Sequence, residues 1–208
     1  MKYLIFDFNG TIIDDVDVGL ESENHTIEHF KLDRPPLTRE EYLRLFTFPV
    51  KDYYEKVGFD WDKFSYEEVG DYWFSWYQKL EPTIRLHEGV KDILIRNREL
   101  GNKNIVLSAS YRKELISQLK QHGIYELFDE ILGIGDIYAG SKMDIAMNFI
   151  KDKDPKDCLM LGDTLHDKEC ADKMGVKCVL IAKGHQLKEI LVKNCDDVYD
   201  DIREVPLW

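Results

Sequence analysis

The stretch that decides the fold is residues 3–11, which read Tyr-Leu-Ile-Phe-Asp-Phe-Asn-Gly-Thr. Its first four residues are apolar or aromatic, as in a strand that is buried on both faces. The run ends at Asp7, and Gly10 follows where a tight turn would be needed. Ligands of a parallel sheet bind beyond the carboxyl ends of its strands, so this loop is a candidate ligand edge.

Four more short apolar runs follow, and amphipathic segments alternate with them. The predicted strands are Tyr3–Phe6, Asn104–Leu107, Glu130–Leu132, Cys158–Leu161 and Lys177–Ile181. The predicted helices, each with apolar residues three or four positions apart, are Arg112–Gln121, Lys142–Ile150, Lys168–Met174 and Gln186–Val192. This alternation predicts the α/β class, with a doubly wound parallel sheet as the core.

The gap between the first two predicted strands is far longer than a crossover helix requires. It spans about 97 residues, whereas a crossover needs roughly a dozen or more. We therefore expect an inserted helical cap domain at residues 17–82, with residues 1–16 and 83–208 forming the core domain. The segment Tyr42–Tyr77 holds 14 of the chain's 25 aromatic residues, which favours a packed interior for the cap over a substrate-binding surface.

Composition and charge exclude several classes of function. The chain has 40 acidic and 28 basic residues among its 208, a net charge of −12, so a nucleic acid would be repelled over most of the surface. No apolar run approaches the roughly 20 residues of a membrane span, and no signal-peptide core is expected at the start. The four cysteines lack the spacing of a zinc site and are expected to be reduced thiols, which favours a cytoplasmic protein.

The polar residues that follow the predicted strands would meet at one edge of the sheet. They are Asp7, Asn9, Gly10 and Thr11; Ser108 and Ser110; Lys142; and Asp163 and Asp167. A carboxylate can attack phosphorus, and lysine and serine donors can bind phosphoryl oxygens. Gly10 would let backbone amides approach a phosphate. The set predicts phosphoryl transfer on a small phosphorylated substrate, with Mg²⁺ as the cofactor because every candidate ligand is an oxygen.

Some of these residues also have a simpler structural interpretation. Asp163 and Asp167 are four positions apart, as acids in the first turn of a helix often are. Lys142 at a helix start opposes the helix dipole, which favours a functional role. Residues 25–29 match a zinc-peptidase pattern, but a helix surface explains His25 and His29 without a metal. Among the histidines, His166 is expected nearest to the site.

In this order and with these intervals, the motifs resemble the haloacid dehalogenase-like superfamily. They are Asp7-Phe8-Asn9-Gly10-Thr11, Ser108, Lys142, and Gly162-Asp163 with Asp167. The likeness is to phosphatases with a helical cap inserted after the first strand, and Arg85–Gly101 resembles the phosphoglycolate phosphatase-like branch. The resemblance covers nearly the whole chain.

The resemblance implies a hydrolase, a Mg²⁺-dependent phosphatase, in which Asp7 is the nucleophile and becomes an aspartyl-phosphate. It implies that the phosphate is held by Gly10, Thr11, Ser108 and Lys142. It also implies a metal site built from Asp7, Asp163 and the backbone carbonyl of Asn9. Asp167 would support this metal site by holding the ligands in place or through a water molecule.

Asn9 departs from the family pattern. The phosphatases that the chain resembles usually carry an aspartate there, which protonates the leaving group and then activates water, and an amide performs neither task near neutral pH. One alternative is therefore a protein that keeps the phosphate and metal pocket for binding or regulation without turnover. A receiver-like signalling domain is a second alternative, which the large insertion argues against. A phosphomutase is disfavoured by the missing acid.

Overall fold

The structure is a computed structural model that describes residues 1–135 and 141–208. Its strands are β1 (Tyr3–Phe6), β2 (Ile13–Asp14), β3 (Arg85–Leu86), β4 (Lys103–Tyr111), β5 (Glu130–Ile134), β6 (Cys158–Gly162), β7 (Lys177–Ile181) and β8 (Val198–Tyr199). Its α-helices are α1 (Val16–His29), α2 (Arg39–Leu45), α3 (Val50–Val57), α4 (Tyr66–Leu80), α5 (Val90–Glu99), α6 (Arg112–Gln121), α7 (Lys142–Ile150), α8 (Leu165–Met174) and α9 (Lys188–Leu191). None of these helices is long and apolar enough to cross a membrane.

The main sheet has six parallel strands in the order β5-β4-β1-β6-β7-β8. Its central strand β1 is apolar throughout, and Leu4, Ile5 and Phe6 have no exposed surface. Because successive side chains point to opposite faces, Leu4 and Phe6 join one apolar cluster and Ile5 joins another. Helices α5 and α6 pack on the first face, and α7 and α8 on the second. The predicted α/β class with a parallel sheet is confirmed.

All five predicted strands are present, but the second is longer than its sequence pattern suggests. Strand β4 continues past a register shift after Leu107, because Tyr111 still pairs with Ile134 of β5. Ser108 and Ser110 therefore lie within the last part of β4 and not beyond it. They remain at the carboxyl edge of the sheet, beside Asp7.

Two of the four predicted helices have boundaries that differ from the prediction. Helix α8 begins at Leu165, because Thr164 and Asp167 form a capping box that starts the helix three residues early. Helix α9 is shorter than predicted, because Leu187 is extended and the helix begins only at Lys188. Near the acidic end of the chain, β8 pairs with β7.

The four helices α1–α4 lie between β2 and β3, which pair as a short antiparallel ribbon. Their apolar side chains form a third cluster, separate from the two clusters on the main sheet and rich in aromatic residues. The proposed domain division, with a cap at residues 17–82, matches these helices to within a residue or two and remains our proposal.

The two histidines of the zinc-peptidase pattern pack between α1 and α4. His25 stacks on Trp76 with ring centroids 3.5 Å apart, and His29 stacks on Tyr72 at 3.9 Å. Ring stacking thus accounts for both side chains.

Candidate active site

Three carboxylates meet at the carboxyl edge of the main sheet. Asp7 follows β1, Asp163 follows β6, and Asp167 lies in the first turn of α8. One oxygen from each lies within 4.8 Å of the others. Lys142, the first residue of α7, places its Nζ against Oδ1 of Asp7 and 2.5 Å from Oδ1 of Asp167. A buried ammonium group therefore joins two of the three acids.

Burial and the ammonium group set the protonation of this cluster. Burial raises the pKa of Asp7 well above its usual range, even though Lys142 acts in the opposite direction. Burial also raises the pKa of Asp163, to about 6. Although burial acts to raise the pKa of Asp167 too, Lys142 holds it below its ordinary value. The negative charge is thus held most firmly on Asp167.

The carboxylate of Asp163 is fixed at both oxygens. The hydroxyl of Thr11 donates to Oδ1 at 2.9 Å, and the backbone N–H of His185 donates to Oδ2 at 2.7 Å. A side chain at Gly10 would collide with this carboxylate, and Gly10 also has a positive φ of 72°. Only glycine suits that position, because it has no Cβ and tolerates the left-handed conformation.

Asp167 is saturated by hydrogen bonds from its own helix start. Its Oδ2 accepts from the backbone N–H of Asp163 at 3.2 Å, and from the N–H and hydroxyl of Thr164 at 3.0 and 2.8 Å. Its Oδ1 faces Lys142. Asp167 is therefore placed to orient Lys142 and the Asp163 loop.

Asn9 belongs to a second buried hydrogen-bond network, which is centred on the carboxylate of Asp15. Its Nδ2 donates to Oδ2 of Asp15 at 2.8 Å and to the Tyr77 hydroxyl at 3.0 Å, while its Oδ1 accepts from the Ser110 hydroxyl at 3.2 Å. Tyr77 in turn donates to Oδ2 of Asp15 at 2.7 Å. The N–H of Gly10 donates to Oδ1 of Asp15 at 2.8 Å, so that amide is already engaged.

The structure brings all the predicted site residues to this edge. Ser108 is buried near the end of β4, where its Oγ accepts the N–H of Ser110 at 3.0 Å. The Thr11 hydroxyl was predicted to bind phosphate, but it donates a hydrogen bond to Oδ1 of Asp163. His166 lines the adjoining cavity and stacks on Phe48, with ring centroids 4.5 Å apart.

The sequence analysis missed Asp15 and His185. Nε2 of His185 lies 3.1 Å from Oδ1 of Asp15, and its Nδ1 lies 3.0 Å from the hydroxyl of Tyr42 in α2. Although burial disfavours its charge, Asp15 raises the pKa of His185 to about 9; burial likewise acts to raise the pKa of Asp15, but His185 lowers it. His185 follows β7 by only a few residues, so the rule applied to the other strand ends would have found it.

A cavity of about 300 Å³ opens over these groups, beneath the helices α1–α4. Asp7, Asn9, Ser108, Lys142 and Asp163 line its sheet end. The aromatic side chains that line the cavity are Tyr42, Phe46, Phe48, Tyr53, Tyr54, Trp73, Phe74 and Tyr77. This volume is at the small end of the range for small-molecule sites. A small ligand in this cavity could thus contact both polar networks and the aromatic side chains of the wall.

The three carboxylates also fit a divalent cation. Their donor atoms are all oxygens, which suit hard cations such as Mg²⁺, and they lie close enough to share one ion. Asp163 is the most suitable of the three, because its hydrogen bonds fix both oxygens without an ammonium partner. The acidic cluster can hold a metal.

Known proteins resemble this chain along most of its length. The family profile described as haloacid dehalogenase-like hydrolase matches residues 4–181. A phosphoglycolate phosphatase of Synechococcus elongatus is 23% identical over 203 residues, 95% of this chain and 91% of its own. The pyrophosphatase PpaX of Halalkalibacterium halodurans is 24% identical over 202 residues, 94% and 90% of the two chains.

A solved structure shows the same fold. A haloacid dehalogenase-like family protein from Streptococcus pneumoniae superposes with a TM-score of 0.79 at 18% identity, covering 97% of this chain and 94% of that one. The profile match spans most of the chain, and its ends fall in β1 and β7, so it includes the strands that carry the acids. This chain belongs to the haloacid dehalogenase-like hydrolase family.

Proposed function

We propose that the protein is a Mg²⁺-dependent phosphatase that hydrolyses a small phosphomonoester through an aspartyl-phosphate on Asp7. The observation that carries this proposal is the convergence of Asp7, Asp163 and Asp167, two of which, Asp7 and Asp167, pair with the buried Lys142. The similarity to a phosphoglycolate phosphatase and a pyrophosphatase supports a phosphoric ester as the substrate, and a phosphoric monoester hydrolase as the enzyme class.

The reaction would proceed in two steps. An oxygen of Asp7 attacks phosphorus, the ester P–O bond breaks, and the alcohol leaves with its electron pair and takes up a proton. Water then attacks phosphorus of the aspartyl-phosphate, which releases inorganic phosphate and restores the carboxylate. Lys142 contacts Asp7 directly, so it is placed to bind phosphoryl oxygens as the bond forms.

Asp7, Asp163 and the carbonyl of Asn9 would hold Mg²⁺, with Asp167 acting through Lys142 and the Asp163 backbone. When bound, the cation would reduce the repulsion between the carboxylate and the phosphoryl group. Ser108 and the backbone N–H of Thr11 would complete the phosphate site, while the Gly10 N–H binds Asp15 and Gly10 gives the loop its close approach.

Position 9 supplies no acid that could protonate the leaving group. Both polar atoms of the Asn9 amide are engaged with Asp15, Tyr77 and Ser110, and an amide does not titrate near neutral pH. We therefore expect the enzyme to favour esters whose alcohols leave without protonation. The same observation supports a second candidate, a protein that binds phosphate and metal without turnover.

A panel of metabolite phosphates, with and without Mg²⁺, tests both candidates. Release of phosphate that needs Mg²⁺ and is lost in Asp7→Asn, with an unchanged circular dichroism spectrum, is expected for the enzyme. The exposed Asp17→Asn on α1 is the matched control and should keep full activity. Phosphate binding without release from any ester would select the binding protein, and full activity of Asp7→Asn would remove Asp7 from its role.

We place this activity in the cytoplasm, with a small phosphorylated molecule as the partner. All four cysteines are buried and unpaired, as expected in a reducing compartment. The net charge of −12 disfavours a nucleic-acid substrate.

A further inference from the structure

A carboxylate buried on α1 makes no well-formed hydrogen bond with any residue that the structure describes. Glu23 of α1 is fully buried, and neither of its oxygens has a hydrogen-bond partner among the described residues. The hydroxyl of Tyr53 in α3 interacts with Glu23 but makes no well-formed hydrogen bond within the described part of the chain. Burying such groups without partners costs free energy, so their retention calls for an explanation.

The polar groups around Glu23 are committed elsewhere. The hydroxyls of Ser22 and Thr26, its neighbours on α1, donate to the carbonyls of Val18 and Ser22 at 2.7 and 2.8 Å. Arg34 is the basic residue that acts on Glu23, yet its guanidinium donates to the carbonyl of Val57 at 2.9 Å. Among the residues described, no basic side chain forms a salt bridge with Glu23, although the charge of Arg34 acts on it.

Glu23 lies behind the wall of the cavity that contains Asp7. Gly19, one helical turn before Glu23 on α1, lines that cavity. So do Tyr53 and Tyr54, both of which interact with Glu23 electrostatically. A ligand in the cavity would reach the Glu23 carboxylate after a rotation of the Tyr53 side chain. Side-chain rotations of this kind are common on binding.

The chemistry of the cavity wall in front of Glu23 suits a cation. Aromatic rings attract ammonium groups through their negative faces, and a carboxylate set among them completes such a site. Phe46, Trp73 and Tyr54 are among the rings that line it. A polyol would instead need several free hydrogen-bonding groups, whereas the hydroxyls of Tyr42 and Tyr77 are already used.

The charge balance argues against an anionic leaving group. Within the described residues, the basic side chains that line the cavity are Lys142, His166 and His185, and burial lowers the pKa of His166, which favours its neutral form. Lys142 is paired with Asp7 and Asp167, and His185 with Asp15. A carboxylate or second phosphoryl group, as in phosphoglycolate or pyrophosphate, would therefore lie near Glu23 without a free cation to receive it.

We infer that the substrate is a phosphoric ester whose leaving group carries an ammonium group, which the Glu23 carboxylate and the Tyr53 hydroxyl hold within the aromatic wall. The inference rests on the proposed function, because it requires the phosphoryl group to lie at Asp7. It makes Glu23 and Tyr53 specificity residues, while the reaction itself is left to the sheet end of the cavity.

The protonation of Glu23 agrees with this role. Burial raises the pKa of Glu23 to about 8, opposed by Tyr53 of α3 and Arg34 of the following loop; Tyr42 of α2 and Tyr54 of α3 also face it. The empty site is therefore mostly neutral near pH 7. An incoming ammonium group would displace the proton, so binding should release protons to the buffer.

The test measures binding of non-hydrolysable phosphonates to the full-length protein with Mg²⁺. A series of ω-aminoalkylphosphonates of increasing length is compared by isothermal titration calorimetry with ω-hydroxyalkylphosphonates of the same lengths. We expect one amino compound to bind at least about tenfold more tightly than its hydroxy counterpart, with greater proton release in buffers of different ionisation enthalpy. Glu23→Gln and Tyr53→Phe should each reduce the affinity ratio, Glu23→Gln to nearly one.

Glu21→Gln, an exposed change on the same helix, should leave the affinity ratio as it is. Equal or weaker binding of the amino series, or a ratio that survives Glu23→Gln in correctly folded protein, would overturn the inference. Tighter binding of phosphonoacetate, which carries a carboxylate, would overturn it as well. If p-nitrophenyl phosphate is hydrolysed in the same preparation, the proposed function survives such a result. Absence of both phosphate binding and turnover would remove the proposed function too.

Discussion

The side-chain amide of Asn9 donates a 2.8 Å hydrogen bond to Oδ2 of Asp15. The same carboxylate accepts from the Gly10 N–H and the Tyr77 hydroxyl and faces His185. A donor is therefore what this position requires, since a carboxylate there would lie at hydrogen-bonding distance from another carboxylate. Asn9 therefore suits its buried surroundings, although its amide cannot transfer a proton near neutral pH.

We predict that Asn9→Asp lowers the free energy of unfolding by about 1–3 kcal/mol near neutral pH, because it replaces a buried hydrogen bond with like charges. Repulsion raises the pKa of one of the two carboxyls in the folded state, so the variant binds more protons folded than unfolded. Its stability should thus be higher in mild acid and fall as the pH rises. Urea denaturation at several pH values measures this.

The swapped double variant, Asn9→Asp with Asp15→Asn, is the matched control. It restores a donor facing an acceptor and should recover part of the lost stability, although His185 loses its carboxylate partner. Equal stability of Asn9→Asp and the wild type at every pH would contradict the importance of the Asn9–Asp15 bond.

The second prediction concerns the rate with different leaving groups. Without an acid at position 9, kcat/KM should fall steeply as the pKa of the leaving alcohol rises, because a general acid contributes a factor of about 10² to 10⁴. Asn9→Asp should raise turnover of alkyl phosphates and flatten that dependence, with little gain on p-nitrophenyl phosphate. A series of esters, assayed in mild acid where the variant is most stable, provides the measurement.

Peptide mass analysis must accompany these assays, because Asn9-Gly10 is a sequence that deamidates readily to aspartate. The prediction would be wrong if unmodified wild-type protein hydrolysed alkyl phosphates efficiently and Asn9→Asp brought no gain. His166, which also lines the cavity, would then be the next proton donor to test.

The rule that functional residues follow strand ends accounts for what the sequence predicted. It located Asp7 and Asp163, because short buried strands are recognisable by composition and parallel strands place their carboxyl ends together. It did not reveal Asp15, since the direction of that side chain depends on Tyr77 in a helix more than 60 residues away.

Glu23 shows a different limit. The residues before it, Glu21 and Ser22, and the residue after it, Asn24, are polar, so the local pattern suggests an exposed helix face. Its burial is created by α2 and α3, whose tyrosines pack against α1. A short sequence window contains no signal for such packing.

We predict that Glu23 makes folding less favourable as the pH rises. Its pKa is about 8 in the folded protein against 4.5 ordinarily, so the folded state retains the proton between these values. Stability is therefore highest in mild acid and decreases through this interval, by a total on the order of 4 kcal/mol for this group. Glu23→Gln should remove that decrease, and the difference between variant and wild type should be largest above about pH 8.

Glu21→Gln serves as the control for this pH series, because its side chain is exposed on the same helix. It should run parallel to the wild type at all pH values. If Glu23→Gln also ran parallel to the wild type, Glu23 would titrate normally, and its carboxyl group would have to be accessible to water.

The last prediction separates two tryptophans of α4. Trp73 lines the cavity and stacks on Tyr77 at 5.1 Å, whereas Trp76 stacks on His25 and does not line the cavity. Trp73→Ala should change the ratio of kcat/KM values across the substrate panel, because it reshapes the wall that contacts the leaving group. Trp76→Ala should lower stability by about 1–3 kcal/mol and leave those ratios unchanged. Thermal melts and the panel, measured together, decide the matter: altered ratios in Trp76→Ala alone would place the substrate outside the cavity over Asp7.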